Sequence, residues 1–228
     1  MSVAVVTGGG SGIGAACVAA LSSRGIRTAV VDLQPGSSEA DLVEILDVRD
    51  RPALVHAIER TESSLGPIDY LVTAAGYYEA GELHALEEAA WRRMVEVHVH
   101  GTANAWRAVL PGMRVRRRGS VCAIGSELGL IGDPLAPHYA AAKGAIHAMV
   151  KSVAVEVAPE GIRVNCVAPG PTDTPLMADD PNAESYAAVV PLGRLLRPDE
   201  IAAAVCWVLL EDTNLVGQVV SPNGGAAL

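Results

Sequence analysis

The chain has 228 residues, 50% of them hydrophobic and 19% charged, with a formal net charge of −9 and a pI near 5.1. This length and apolar content suit one well-buried domain over residues 1–228 and exclude a disordered or low-complexity chain. The acidic balance argues against a nucleic-acid surface, and no apolar run reaches membrane-spanning length.

The chain enters directly into a strand with no leader pattern, so a cytoplasmic protein is expected. Runs rich in β-branched residues predict strands over 3–6, 28–32, 44–46, 70–73, 120–124, 163–167 and 218–220. Helix-length stretches fall between them, over 13–24, 51–64, 89–113, 137–158 and 199–210, the last opened by Pro198 and Asp199. Near-continuous apolar strands alternating with helices predict an α/β fold of the Rossmann type, a doubly wound parallel sheet of about seven strands with helices on both faces. Only a short stretch, 36–41, separates the second strand from the third, which trims the helix expected there. The basic run 114–118 follows a helix and reads as its solvated end. The stretch 174–197 breaks both periodicities with Pro175, Pro181 and Pro191, and reads as a loop or lid over a cleft. Cys17, Cys122, Cys166 and Cys206 lack the spacing of a zinc site or a redox pair. They read as reduced core residues, and no metal is expected.

The first strand runs into Thr7-Gly8-Gly9-Gly10-Ser11-Gly12-Ile13-Gly14 and then an Ala-rich helix. Glycines let backbone turn sharply and approach a pyrophosphate, whose charge the helix N-terminus favours. Asp32 closes the second strand, followed by Leu33; a carboxylate there accepts ribose hydroxyls and repels a 2′-phosphate, so NAD is expected over NADP. Asp47 and Val48 end the third strand, where they could hold an adenine edge. Ala74, Ala75 and Gly76 follow the fourth, small residues where backbone must pass close to a cofactor.

Tyr139 and Lys143 stand four residues apart on the 137–158 helix and project from one face. An ammonium beside a phenol pulls its pKa down from about 10, which makes an acid/base for a carbonyl and alcohol pair. Ser126 lies thirteen positions before Tyr139, just past an apolar strand. Pro169, Gly170, Thr172 and Thr174 follow the sixth strand and are candidate cofactor-binding residues; Asn165 and the Pro169-Gly170 turn could shape a nicotinamide pocket, while Thr174 could bond its carboxamide or a cofactor phosphate.

The glycine turn, the Tyr-x-x-x-Lys pair, the spacing of Ser126 and the Pro169-Gly170 turn with Thr174 together resemble the short-chain dehydrogenase/reductase family, over essentially the whole chain. Thr7, Gly8, Gly12 and Gly14 match its Thr-Gly-x-x-x-Gly-x-Gly pattern, and the 217–225 ending is similar to its last strand and closing glycines. The resemblance implies hydride transfer between NAD and a carbinol carbon, with Tyr139 as acid/base and Ser126 holding the substrate oxygen. Lys143 would lower the Tyr139 pKa and bond the nicotinamide ribose. The apolar surface of the 89–113 and 137–158 helices predicts homo-oligomerisation through them, and the resemblance implies a homotetramer or homodimer. Two departures stand out. Thr73 and Ala74 replace the usual pair of Asn, so that turn must be held differently. His98, in His98-Val99-His100-Gly101, takes the place of the catalytic Asn, either passing protons in its stead or simply bonding a backbone carbonyl.

Tyr77, Tyr78, Glu127, Leu128, Pro134 and Met177 are candidate substrate walls, without Arg or Lys. They fit a small, uncharged, largely apolar secondary alcohol or ketone. The alternatives are an NADPH-dependent 3-oxoacyl-thioester reductase and an NAD-binding sensor or scaffold with impaired catalysis.

Overall fold

The computed structural model describes residues 1–36, 39–178, 186–188, 190–211 and 213–227. Val3–Thr7 (β1) is five consecutive buried residues, a run that suits a strand covered on both faces. The other strands are Arg27–Asp32 (β2), Leu42–Ile45 (β3), Ile68–Thr73 (β4), Gly119–Ile124 (β5), Ile162–Val167 (β6) and Val219–Val220 (β7). They form one parallel sheet of order β3-β2-β1-β4-β5-β6-β7. The order reverses between β1 and β4, and a doubly wound sheet opens a crevice at the strand C-termini there.

The helices are Gly12–Ser22 (α1), Arg51–Leu65 (α2), Glu88–Val95 (α3), Gly101–Arg116 (α4), Leu128–Ile131 (α5), Pro137–Val157 (α6), Pro175–Ala178 (α7) and Pro198–Leu210 (α8). One face of the sheet packs against α2, α4 and α6 through residues such as Leu54, Trp106, Val109, Ile146 and Val150. The other packs against α1 and α8 through Cys17, Leu21, Ile201, Val205 and Leu209. The parallel seven-stranded sheet is the one the apolar pattern predicts.

Several local expectations are revised. The helix expected over 89–113 is α3 and α4 joined by a π turn at Glu96–His100. A single helical period fitted over 89–113 leaves out the one residue that this turn inserts, which shifts the phase of the apolar positions between α3 and α4. No helix lies among the described residues between β2 and β3. The turns α5 and α7, four residues each, are too short to leave a periodic signal.

The arginines of the 114–118 run are not a merely solvated helix end. Arg114 reaches Glu156 and Glu160, Arg116 donates to the Ile68 carbonyl at 2.7 Å, Arg117 to the Pro159 carbonyl at 2.7 Å, and Arg118 grips Asp69 at 2.5 Å. Together they tie the end of α4 to β4 and to the end of α6.

The 174–197 stretch is stitched to the body by a bridge between Thr172 and Leu196 and by the Leu192 amide donating to the Gly224 carbonyl. Pro181 lies outside the described residues. The four cysteines are buried and unpaired. Among the described residues no helix is long and apolar enough to cross a membrane, and no group of three or more His, Cys, Asp or Glu is arranged to hold a metal ion.

Candidate active site

A cleft of about 750 Å³ lies along the C-terminal ends of the strands. Its floor begins at the turn after β1. Gly8 takes φ +70°, and a Cβ on Gly14 would fall 2.0 Å from the Gly8 carbonyl oxygen, so the first turn of α1 packs directly on the preceding loop. Ser11 stands at the start of α1 without capping it by its side chain, and with Gly12 and Ile13 it lines the cleft. Asp32 braces the turn: Oδ2 accepts the Gly10 amide at 2.9 Å, and Oδ1 the Gln34 amide at 3.2 Å. Each oxygen keeps a second lone pair for a ribose hydroxyl. A cradle clear of side chains, an uncapped helix start and a strand-end carboxylate make a donor and acceptor set that fits a dinucleotide.

Ser11, Gly12, Ile13, Leu33, Asp47, Val48, Ala74, Ala75 and Gly76 all line the cleft, as do Pro169, Gly170, Thr172 and Thr174. Thr174 comes from the far side, close enough that a Cβ on Gly12 would meet its side chain at 3.4 Å. Thr7 does not line it. Its carbonyl instead accepts the Ala74 amide at 3.0 Å, and this backbone bond is what holds the turn where the family has Asn. Asn165 is also structural, donating to the Leu215 carbonyl and accepting the Gln218 amide, away from the cleft. Asp47 is engaged by Arg49 at 2.6 Å, which holds its carboxyl below the ordinary carboxylate range.

At the other end, β5 delivers Ser126 and α6 delivers Tyr139 and Lys143 to one wall. Lys143 is buried and donates to the Ile124 carbonyl at 2.8 Å, with its Nζ 5.5 Å from the centre of the Tyr139 ring. Burial pushes Lys143 down to about 8 and Tyr139 up to about 12, while the nearby Ser126 hydroxyl favours the phenolate and the Glu127 charge opposes it. This reverses the direction expected from the Tyr-x-x-x-Lys spacing. Desolvation of the phenolate sets the direction, and the Lys143 ammonium is bound to a backbone carbonyl.

The Tyr139 ring is gripped edge-on by Tyr78 at 5.2 Å and by His98 at 5.4 Å. His98 is buried in the π turn. Its Nε2 lies 2.8 Å from the Tyr77 carbonyl oxygen and 3.2 Å from the Tyr77 amide nitrogen, serving one or the other according to tautomer. Burial and the Lys143 charge hold its pKa at about 3, so the ring is neutral.

Residues 2–185 match the sequence pattern that defines the short chain dehydrogenases. The chain belongs to that family. It is 36% identical to cis-4-hydroxycyclohexanecarboxylate dehydrogenase of Sinomonas cyclohexanicum, over 98% of this chain and 95% of that one. It is 30% identical to the 3-oxoacyl-[acyl-carrier-protein] reductase FabG of Thermotoga maritima, over 99% and 98%. It is also similar to the solved structure of Thermoplasma acidophilum aldohexose dehydrogenase, with a TM-score of 0.91 and 28% identity over 99% and 93%. This short chain dehydrogenase is therefore an oxidoreductase of CH–OH groups that works with a nicotinamide cofactor.

The sequence reading missed three residues of the dehydrogenase's cleft and its frame. Arg93 lines the substrate end, so the wall is not free of cations; its charge is taken by Glu79, and its Nε donates to the Tyr77 hydroxyl at 3.1 Å. Asn104 on α4 donates to the Val48 carbonyl at 3.0 Å and fixes the loop after β3. Asp133 accepts from the Tyr78 hydroxyl at 3.2 Å, with burial the main cause that pushes that phenol above its ordinary range. None belongs to a local motif; only the fold brings them to the cleft.

Proposed function

We propose that the protein transfers hydride between NAD(H) and a small, largely apolar secondary alcohol or its ketone, with Tyr139 as the acid/base. The observation that carries this reading is the convergence of Ser126, Tyr139 and Lys143 on one wall of the cleft that also holds the glycine turn and Asp32. Bound NAD⁺ supplies the acceptor for the hydride that leaves the carbinol carbon. Ser126 holds the substrate oxygen. Tyr139 takes the hydroxyl proton in oxidation and returns it to the developing alkoxide in reduction. With its pKa near 12, the phenol is protonated at neutral pH, the form that donates in reduction, whereas oxidation draws on the phenolate, more of which forms as pH rises. Lys143, near 8, stays largely charged at neutral pH and supports the phenolate while bonding the nicotinamide ribose. Asp32 takes the adenosine ribose hydroxyls and disfavours a 2′-phosphate, so NAD is preferred; the glycine turn and Ser11 take the pyrophosphate. His98 supports the ring of Tyr139 from the π turn.

The similarity to the FabG reductase keeps a 3-oxoacyl-thioester reductase as a second reading, against which Asp32 counts. We further take the protein to be one domain, cytoplasmic, and a homodimer or homotetramer through the outer faces of α4 and α6, where Val115 and Val155 are 87% and 75% exposed. Light scattering of the purified protein tests the assembly.

Fluorescence titration with NADH and NADPH, followed by assay of secondary alcohols with NAD⁺, tests the cofactor and the reaction. Tyr139→Phe removes only the phenolic hydroxyl, and is expected to lower turnover at least about a hundredfold while NADH still binds. A variant as active as the parent would refute the role of Tyr139.

A further inference from the structure

Glu127 follows Ser126 directly and is only 5% exposed. Its backbone is pinned from both sides. The amide donates to the Pro169 carbonyl at 3.0 Å, and the Glu127 carbonyl accepts the Leu130 and Ile131 amides at 2.7 and 3.1 Å. The side chain therefore sits where it does without bonds of its own. Oε2 is buried and has no hydrogen-bond partner among the described residues. The cations of the same cleft are engaged elsewhere: Arg49 with Asp47, Arg93 with Glu79, and Lys143 with the Ile124 carbonyl. A buried carboxyl without a partner is unfavourable.

Burial lifts the Glu127 carboxyl to about 7, so near neutral pH it is partly protonated and can both donate and accept. Glu127 lines the same cleft as Ser126 and Tyr139, and its charge is felt at the phenol. Ser126 and Glu127 are consecutive and both line the cleft, so one small molecule at this end is within reach of both residues. The Tyr78 hydroxyl and Asp133 add polar atoms to that end of the cleft.

We infer that Glu127 is a specificity-determining residue that hydrogen-bonds a second hydroxyl of the substrate, close to the carbinol held by Ser126 and Tyr139. The substrate class is then a diol or polyol, more polar than the wall residues alone predict. This rests on the proposed reading of the cleft as a hydride-transfer site.

The test compares cyclohexanol with cis- and trans-cyclohexane-1,2-diol as substrates with NAD⁺. In the parent protein one diol is expected to exceed the mono-ol in kcat/KM by about tenfold or more, the worth of one well-made hydrogen bond. Glu127→Leu, which also removes an unpartnered buried carboxyl, should cut the diol to mono-ol ratio by about the same factor, whereas Glu127→Gln, which keeps a hydrogen-bonding head, should largely retain it. An unchanged ratio in Glu127→Leu overturns the assignment. A preference for 2-aminocyclohexanol over both diols also overturns it, in favour of a cationic substrate. Binding to the NADH-loaded Tyr139→Phe variant decides the matter separately from turnover. Parent protein inactive on every alcohol refutes the hydride-transfer reading. Equal binding of diol and mono-ol refutes the role of Glu127.

Discussion

His98 makes the dehydrogenase sensitive to acid in a way that Asn at the same place would not. The imidazole is 1% exposed and its pKa is held at about 3, against an ordinary value of 6.5, chiefly by burial. In the unfolded chain the ring takes up a proton near pH 6.5; in the folded protein it does not. Because the folded value is the lower one, the stability tied to the neutral ring is complete above about pH 6.5 and drains as pH falls toward about 3. Each pH unit in that window costs about 1.4 kcal/mol, so His98 alone accounts for about 2 kcal/mol between pH 6.5 and pH 5. His98→Asn removes the titration while keeping an amide that can bond the Tyr77 backbone. Urea denaturation at pH 7, 6 and 5 should therefore show a shallower loss of stability in His98→Asn than in the parent, by about 2 kcal/mol across the range. The comparison is of slopes, so a smaller side chain that lowers stability equally at every pH does not affect it. Parallel curves would refute the argument and mean that the ring is protonated, or exposed to water, in the folded protein.

Two further outcomes follow from the packing. Gly14→Ala places a methyl against the Gly8 carbonyl, where no side chain can yield, and is expected to weaken NADH binding by at least about tenfold by fluorescence titration. Asp69 is buried and accepts the Val3 amide at 3.2 Å as well as Arg118. Asp69→Ala strands that amide, and should lower the unfolding free energy by about 1–3 kcal/mol in urea, with Asp69→Asn recovering part of the loss.

The sheet was legible because its central strands are buried on both faces, so runs such as Val3–Val6 and Val121–Ile124 carry no polar residue. The glycine turn and the Tyr139 and Lys143 pair were legible because their function demands residues close together in sequence. What escaped depends on tertiary packing. The pKa direction of Tyr139 is set by how deeply α6 buries the phenol, which a spacing of four does not express. Arg93 belongs to the amphipathic stub α3, and only the turn after it brings that stub to the cleft. Thr7 and Asn165 sit at strand positions that look ligand-facing, yet the sheet uses Thr7 to hold a neighbouring turn and Asn165 to hold β7. The arginine run read as solvated because its acidic and carbonyl partners lie more than forty residues away.

The π turn at Glu96–His100 sets a helical phase. An α-helix advances about 100° per residue, and a π turn behaves as a helix with one residue too many. Upstream of it, α3 turns Met94 inward and presents Arg93 to the cleft; downstream, α4 turns Trp106, Val109 and Met113 to the sheet. With the surplus residue deleted from 96–100, the rod would run unbroken, yet α3 would be rotated by about 100° relative to α4. Met94 would leave the interior and His98 would swing away from Tyr139. A single codon in the middle of an otherwise ordinary helix thus keeps two differently facing surfaces on one continuous rod.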